Sequence, residues 1–325
     1  MRKLNNLFSS NIFLLALVLI LALISMAVGV LDFNLVGMIK GNASDQQIGI
    51  ISRFPRTASI IITGMGLSIS GLIMQSISNN KFVSPTTAGT MDWCKLGILV
   101  SIIFFGSSGI AAKIAVSFIF GLGGSFLFLK LLEKIKLKNK MLVPLIGMML
   151  GSVVEAITLF FGYNLDILQN IQSWTQGSFS LITQGRYELL YLGIPFLIVA
   201  FIYADNFTVA GMGKTISSNL GLNYEKIVAI GLMIVALITS TIIVTVGSIP
   251  FVGLIVPNLI SLWHGDNIKS AIPKTIMLGS IFMLVSDIIG RIIIFPYEIS
   301  ISAVAAVIGS FIFIIILLKN RQRFA

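Results

Sequence analysis

The sequence predicts an all-α membrane protein of about ten transmembrane helices, arranged as two inverted-repeat-like halves with both termini in the cytoplasm. Three observations lead there. Hydrophobic residues make up 56% of the 325-residue chain and charged residues only 10%, too much apolar surface for an aqueous core, so the solvent is lipid. The apolar residues run in long blocks without strict alternation, which argues against a barrel, and helices are the other way to satisfy every backbone group in a bilayer. Lysine and arginine are divided unevenly among the connections between blocks, and that division sets the orientation.

The first block, 11–30, could pass for a signal peptide, but no small-residue cleavage site ends it and further blocks follow, so it is read as a retained helix. The second, 57–77, follows Arg53-Phe54-Pro55-Arg56 and is rich in glycine and serine. Shorter third and fourth blocks cover 96–105 and 110–132, and the fifth and sixth cover 141–161 and 189–203. Gly121, Gly123 and Gly124 in the fourth are read as sites of close helix approach. A polar connection leads to blocks at 227–246, 251–263, 275–294 and 301–318. Weak similarity of spans two to five with spans seven to ten, including Phe82-Val83 and Phe251-Val252 at equivalent places, suggests the inverted repeat.

With the N-terminus inside, sixteen of the 22 basic residues fall in the cytoplasm, Lys81, Lys95, Lys214 and Lys226 among them. Six fall outside: Lys40, Arg53, Arg56, Lys113, Arg186 and Arg291. The net charge of +10 is therefore mainly a topology signal, with attraction to anionic membrane lipid second. No nucleic-acid partner is read from it.

A single cysteine, Cys94, excludes an internal disulfide, and with one histidine, His264, no transition-metal cage or cofactor site is expected. No convergent nucleophile, base or ligand set points to an enzyme. Gly213-Lys214-Thr215 looks like the end of a phosphate-binding loop, but Thr208 stands where its first glycine belongs and no strand precedes it. Glu155 and Asp287 lie within spans, where acids are costly and by default suggest a proton or cation relay. Asp287 is one helical turn before Arg291, so pairing that orients the arginine is the better reading there. Glu155 has no partner visible in the sequence. Arg53, Arg56 and Arg291 sit at helix ends on the side where the charge rule expects few cations. Either they snorkel to the interface, or their planar forks dock a soluble partner through its carboxylates.

Five separated segments carry a resemblance. They are Arg53-Phe-Pro-Arg-Thr57 with Thr63-Gly-Met-Gly-Leu-Ser-Ile-Ser-Gly71; Met74-Gln75 with Asn80-Lys-Phe-Val-Ser-Pro85; Trp174-Thr-Gln-Gly-Ser178; Gly247-Ser-Ile-Pro-Phe-Val-Gly-Leu-Ile-Val-Pro-Asn258; and Ser286-Asp-Ile-Ile-Gly-Arg291. In order and spacing the chain, from about residue 10 to its C-terminus, resembles the permease family of ATP-driven importers for iron-siderophore, haem and vitamin B12.

The resemblance implies one transmembrane permease domain over 1–325 in a bacterial plasma membrane, with a membrane bundle at 10–318 and a cytoplasmic coupling segment at 204–226. It implies a second permease subunit, either another copy or a sister chain, around a central pathway. Two cytoplasmic ATP-binding subunits would hydrolyse ATP, and an extracytoplasmic siderophore-binding protein would set its acidic residues on Arg53, Arg56 and Arg291. Gly211, Lys214, Ser217, Leu220, Gly221, Leu222 and Asn223 would seat in the ATPase. By their own chemistry, cap-type Ser217, Ser218 and Asn219 precede Gly221, which permits a sharp reversal between two short helices.

The chain departs from the family at Asn258, where many members carry histidine, and over 84–94, where a proline-glycine segment with leucines is common. The second variant resembles the branch that handles catecholate ferric siderophores. The expected function is the permease subunit that gives a ferric siderophore its pathway. The alternative is an ion-gradient-driven secondary transporter that works without an ATPase and leans on Glu155 and Asp287. A pathway for a bulky chelate should be lined by small, polar and methionine side chains. Gly64, Met65, Ser68, Met74 and Gln75, followed by Ser84, Pro85, Thr86 and Thr87, are the candidates, although their spacing also fits a packing seam.

Overall fold

The computed structural model describes residues 10–29, 33–34, 37–38, 40–85, 89–106, 110–135, 142–185 and 187–319. Among them helices dominate, and the only strand-like pairing is one isolated bridge between Gln176 and Ser248. In chain order the helices are α1 (Asn11–Ala27), α2 (Ala43–Ile48), α3 (Phe54–Ser78), α4 (Thr90–Phe104), α5 (Ile110–Ile135), α6 (Leu142–Asn164) and α7 (Leu168–Thr175). After a 3-10 turn at Glu188–Leu192 come α8 (Gly193–Ile202), α9 (Ala204–Gly211), α10 (Lys214–Asn219), α11 (Tyr224–Val246), α12 (Val252–His264), α13 (Ile268–Ile292) and α14 (Ile301–Lys319).

By length and composition five helical stretches can cross a membrane: Ala43–Ser78, Leu145–Asn164, Tyr224–Val246, Ile268–Ile292 and Ile301–Leu318. The pair Glu188–Ile202 and Ala204–Gly211, bent by 61°, makes a sixth if taken as one span. Local chemistry explains the boundaries. Pro55 falls just after the π-turn that leads into α3, and Asn79 closes the helix in the left-handed conformation. Asn223 accepts from the Lys226 amide to cap α11, and Asn267 accepts from the Ser270 amide to cap α13.

Several boundaries differ from the sequence expectation, among them the start of α13 at Ile268 rather than 275. A π-turn, Gly49–Arg53, joins α2 to α3, so the arginine motif lies within continuous helix rather than in a loop before it. α4 begins at Thr90, not near 96, because Gly89 adopts a left-handed φ of 74° and starts the helix early. Lys95 is therefore a helix-interior residue, not a cytoplasmic loop charge.

The centre of the bundle is α3, packed against α13, α12 and α11. Glycine permits the approach: a Cβ at Gly64 would lie 2.5 Å from the Gly279 carbonyl oxygen, and one at Gly71 would collide with the backbone of Gly253. Where the helices come this close, dispersion contacts replace any hydrophobic drive between them. The Ser68 hydroxyl donates to the carbonyls of Gly64 and, across the seam, Thr275.

Candidate functional site

At the end of the bundle where α3 starts and α13 finishes, the three arginines meet. Arg291 donates to the Ser25 carbonyl at 2.9 Å, the Val28 carbonyl at 2.5 Å and the Ser25 hydroxyl at 2.7 Å. Arg53 donates to the same Val28 carbonyl at 2.8 Å. Two guanidiniums thus satisfy the last carbonyls of α1, where positive charge also complements the helix dipole. Asp287 pairs with Arg291 on its own helix and with Arg56 at 2.8 Å, and Arg56 reaches Glu298 at 2.9 Å. The expectation that these helix ends present free guanidiniums outward needs correction. Arg53 and Arg291 are only 7% and 3% exposed, because α1 and Asp287 hold them inward.

The opposite end carries the proposed coupling segment. α9 is tied down by the Ser76 hydroxyl, which donates to the Phe207 carbonyl, by the Thr208 hydroxyl, which accepts from the Ile268 amide, and by a Lys269–Asp205 ion pair at 2.6 Å. The reversal between the two short helices α9 and α10 falls at Gly213, φ 105°, rather than at Gly221. Gly221, φ 79°, instead turns α10 into the long α11. Ser217 is buried and donates to the carbonyls of Val209 and Gly213, which fixes α10 on α9. Met212, Ile216 and Leu220 project to solvent, Leu220 being 63% exposed. Lys214 is occupied by Glu225 at 2.7 Å, and that hydrogen bond raises the lysine above its ordinary range. Gly211 packs on Ser76, and Leu222 donates its amide to the Ser217 carbonyl.

The α3 residues expected to line a pathway mostly pack in a helix seam, while Gln75 also borders a cavity of about 490 Å³ shared with α9. Ser68, Met74 and Gln75 are buried within a single protomer, and Gly64 abuts α13. Gln75 donates to the Leu254 carbonyl at 3.0 Å. Met65 packs against the core, and Pro85 lies against Gly253. Ser84 is half-buried in the turn after α3, whereas Thr86 and Thr87 lie outside the described residues. Asn258 donates at 2.8 Å to the carbonyls of Lys81 and Leu254, so its amide pins the turn after α3 to α12. Of the glycines in α5, Gly121 and Gly124 pack against Cys94 and Trp93, while Gly123 faces open space.

A cavity of about 390 Å³ opens elsewhere, between α4, α6, α7, the α11–α12 link and the start of α14. Lys95, Glu155, Gln172, Gln176, Ser248 and Ser302 supply its polar wall. Glu155 has a partner after all: Lys95 donates to it at 2.8 Å and lies 3.6 Å from Asp92. The sequence missed this cluster because Lys95 was assigned to a loop; the Asp92-to-Lys95 spacing of three was the available signal. Ser25 and Glu298 were missed too, since neither spacing nor composition marks them.

A family model described as the FecCD transport family matches residues 15–319. The chain belongs to the FecCD transport family. Among similar proteins, the petrobactin import system permease protein YclN of Bacillus subtilis is 52% identical, over 95% of this chain and 98% of that one. The petrobactin permease FatD of Bacillus anthracis is 37% identical, over 94% and 90%. The ferric-anguibactin permease FatD of Vibrio anguillarum is 40% identical, over 84% and 87%. A solved chain of an inward-facing metal-chelate type ABC transporter superposes with a TM-score of 0.84 at 24% identity, over 95% of this chain and 98% of that one. That likeness establishes that this FecCD chain has the helical fold of such a transporter.

Proposed function

We propose that the chain is the permease subunit of an ATP-driven importer of ferric siderophores of the catecholate class, in a bacterial plasma membrane. The observation that carries this is the 52% identity to a petrobactin import permease over nearly the whole of both chains. In this reading α1, α3, α4, α5, α6, α8, α11, α12, α13 and α14 are the ten spans, in two inverted-repeat-like halves with both termini cytoplasmic. A second permease subunit completes the pathway. Two ATP-binding subunits seat on α9 and α10, where the exposed Met212, Ile216 and Leu220 offer an apolar contact of the kind that marks interaction sites.

The siderophore-binding protein docks at the arginine end. Arg56, whose side chain is 12% exposed, is the guanidinium nearest solvent, while Arg53 and Arg291 hold α1 beneath it. The cargo passes along the cavity beside α6 and α7. A gradient-driven transporter is the weaker alternative, since Glu155 and Asp287 each have basic partners and neither is the uncompensated acid a relay uses. Proteoliposomes containing the chain with an ATPase and binding protein should take up ferric petrobactin only when ATP is supplied. Uptake driven by an ion gradient with no ATPase present would overturn the proposal.

A further inference from the structure

Lys95 is set up to exchange partners. Its ammonium touches two carboxylates, but they differ in kind. Asp92 is on the same helix at i,i+3, with a side chain only 21% exposed, whereas Glu155 comes from α6 and is 43% exposed. Glu155 makes the shorter contact, 2.8 Å against 3.6 Å for Asp92, but as the more exposed acid on a second helix it is the counterion that can swing away into the cavity, leaving Lys95 beside Asp92. Glu155 lies in the middle of α6, and an acid within a span is by default a functional candidate. The rest of the polar wall is uncharged: Gln172, Gln176, Ser248 and Ser302.

We infer that Lys95, buffered by Asp92 and Glu155, is a transient subsite for the anionic oxygens of a metal chelate. This inference rests on the importer reading above and names the residue that meets its cargo. Catecholates lose both protons on binding ferric iron, so the chelate is oxygen-rich and anionic. An ammonium already held by a carboxylate accepts such oxygens by exchange, not by filling an empty site. Net affinity stays low because each step returns a counterion, which suits conduction: entry is favourable and exit remains fast. The volume of about 390 Å³ is near the small end of the range for ligand pockets, roughly 300–1,000 Å³, so it fits one edge of the chelate.

The test is maximal ferric petrobactin uptake at saturating binding protein, in cells carrying the whole importer, normalised to permease in the membrane. Lys95→Met should lower the rate about tenfold, the size expected for one charge-assisted hydrogen bond, and Lys95→Arg should restore most of it. Glu155→Gln, which removes the competing counterion, should raise the rate. A merely structural bridge predicts the opposite pattern, with Lys95→Met and Glu155→Gln falling together, and that result overturns the subsite. So does wild-type uptake by Lys95→Met. If Lys95→Met accumulates poorly, the Lys95→Met/Glu155→Gln double variant leaves no stranded Glu155 charge and should still be slow; normal uptake by it also overturns the subsite. Absence of uptake by the wild-type importer would instead defeat the importer reading itself.

Discussion

Asp287 shares one carboxylate between Arg291, a helical turn away, and Arg56, distant in sequence. Both Asp287 and Arg291 have side chains only 2% exposed, so removing the acid strands buried positive charge, a change that typically costs about 3–5 kcal/mol. Asp287→Asn should therefore lower the melting temperature of the detergent-solubilised protein substantially, and Arg291→Ala should do so to a similar degree. Arg56→Ala should cost less, because Arg56 is nearer the surface. A defect of Asp287→Asn confined to the pH dependence of uptake, with stability intact, would revive the proton-relay reading. The Asp287–Arg291 spacing was legible in the sequence, since a helix places residues four apart on one face. That Arg56 joins them from 231 positions away was not.

Among the elements, α3 bears most of the packing. Its glycines and serines have the composition of a pathway wall and equally of a helix seam, and sequence periodicity gives the same stripe for both. Neighbour distances separate the two. Gly64→Ala would push a methyl group against the α13 backbone, overpacking that commonly costs about 1–3 kcal/mol. Gly123→Ala, with nothing within 4 Å, should be neutral or stabilising by up to about 1 kcal/mol from helix propensity. Thermal unfolding monitored by size-exclusion chromatography compares the two. Unchanged stability of Gly64→Ala together with altered cargo rate would return α3 to the pathway.

Across the whole molecule, α3 and α13, both of 25 residues, run side by side from the arginine cluster to the segment around α9 and α10. At 1.5 Å per residue each is roughly 37 Å long, enough to connect the two faces of a bilayer with rigid rods. α9 is bonded to both rods through Phe207 and Thr208, so motion imposed on α10 reaches the bundle as a body. If α10 couples as proposed, Gly221 is the position that tests it. Its φ of 79° disfavours side chains although no atom obstructs one, so Gly221→Val carries a backbone penalty of about 1–2 kcal/mol, whereas Gly221→Asn tolerates the left-handed conformation. In proteoliposomes with the ATPase, Gly221→Val should hydrolyse more ATP per chelate moved, and Gly221→Asn should stay near wild type. Equal coupling in both would remove Gly221 from the transmission.

The sequence by itself determined that the solvent is lipid, that the chain is helical, and that Asp287 can face Arg291. Each follows from composition or from a period of a few residues, which local backbone geometry enforces. Only the tertiary structure decided that the arginines turn inward onto α1, that Lys95 meets Glu155, and that a cavity with a polar wall lies beside α6 and α7. Those contacts join groups 25 to 266 positions apart. Buried charge takes the nearest compensating group in space, and chain order alone does not say which group that is.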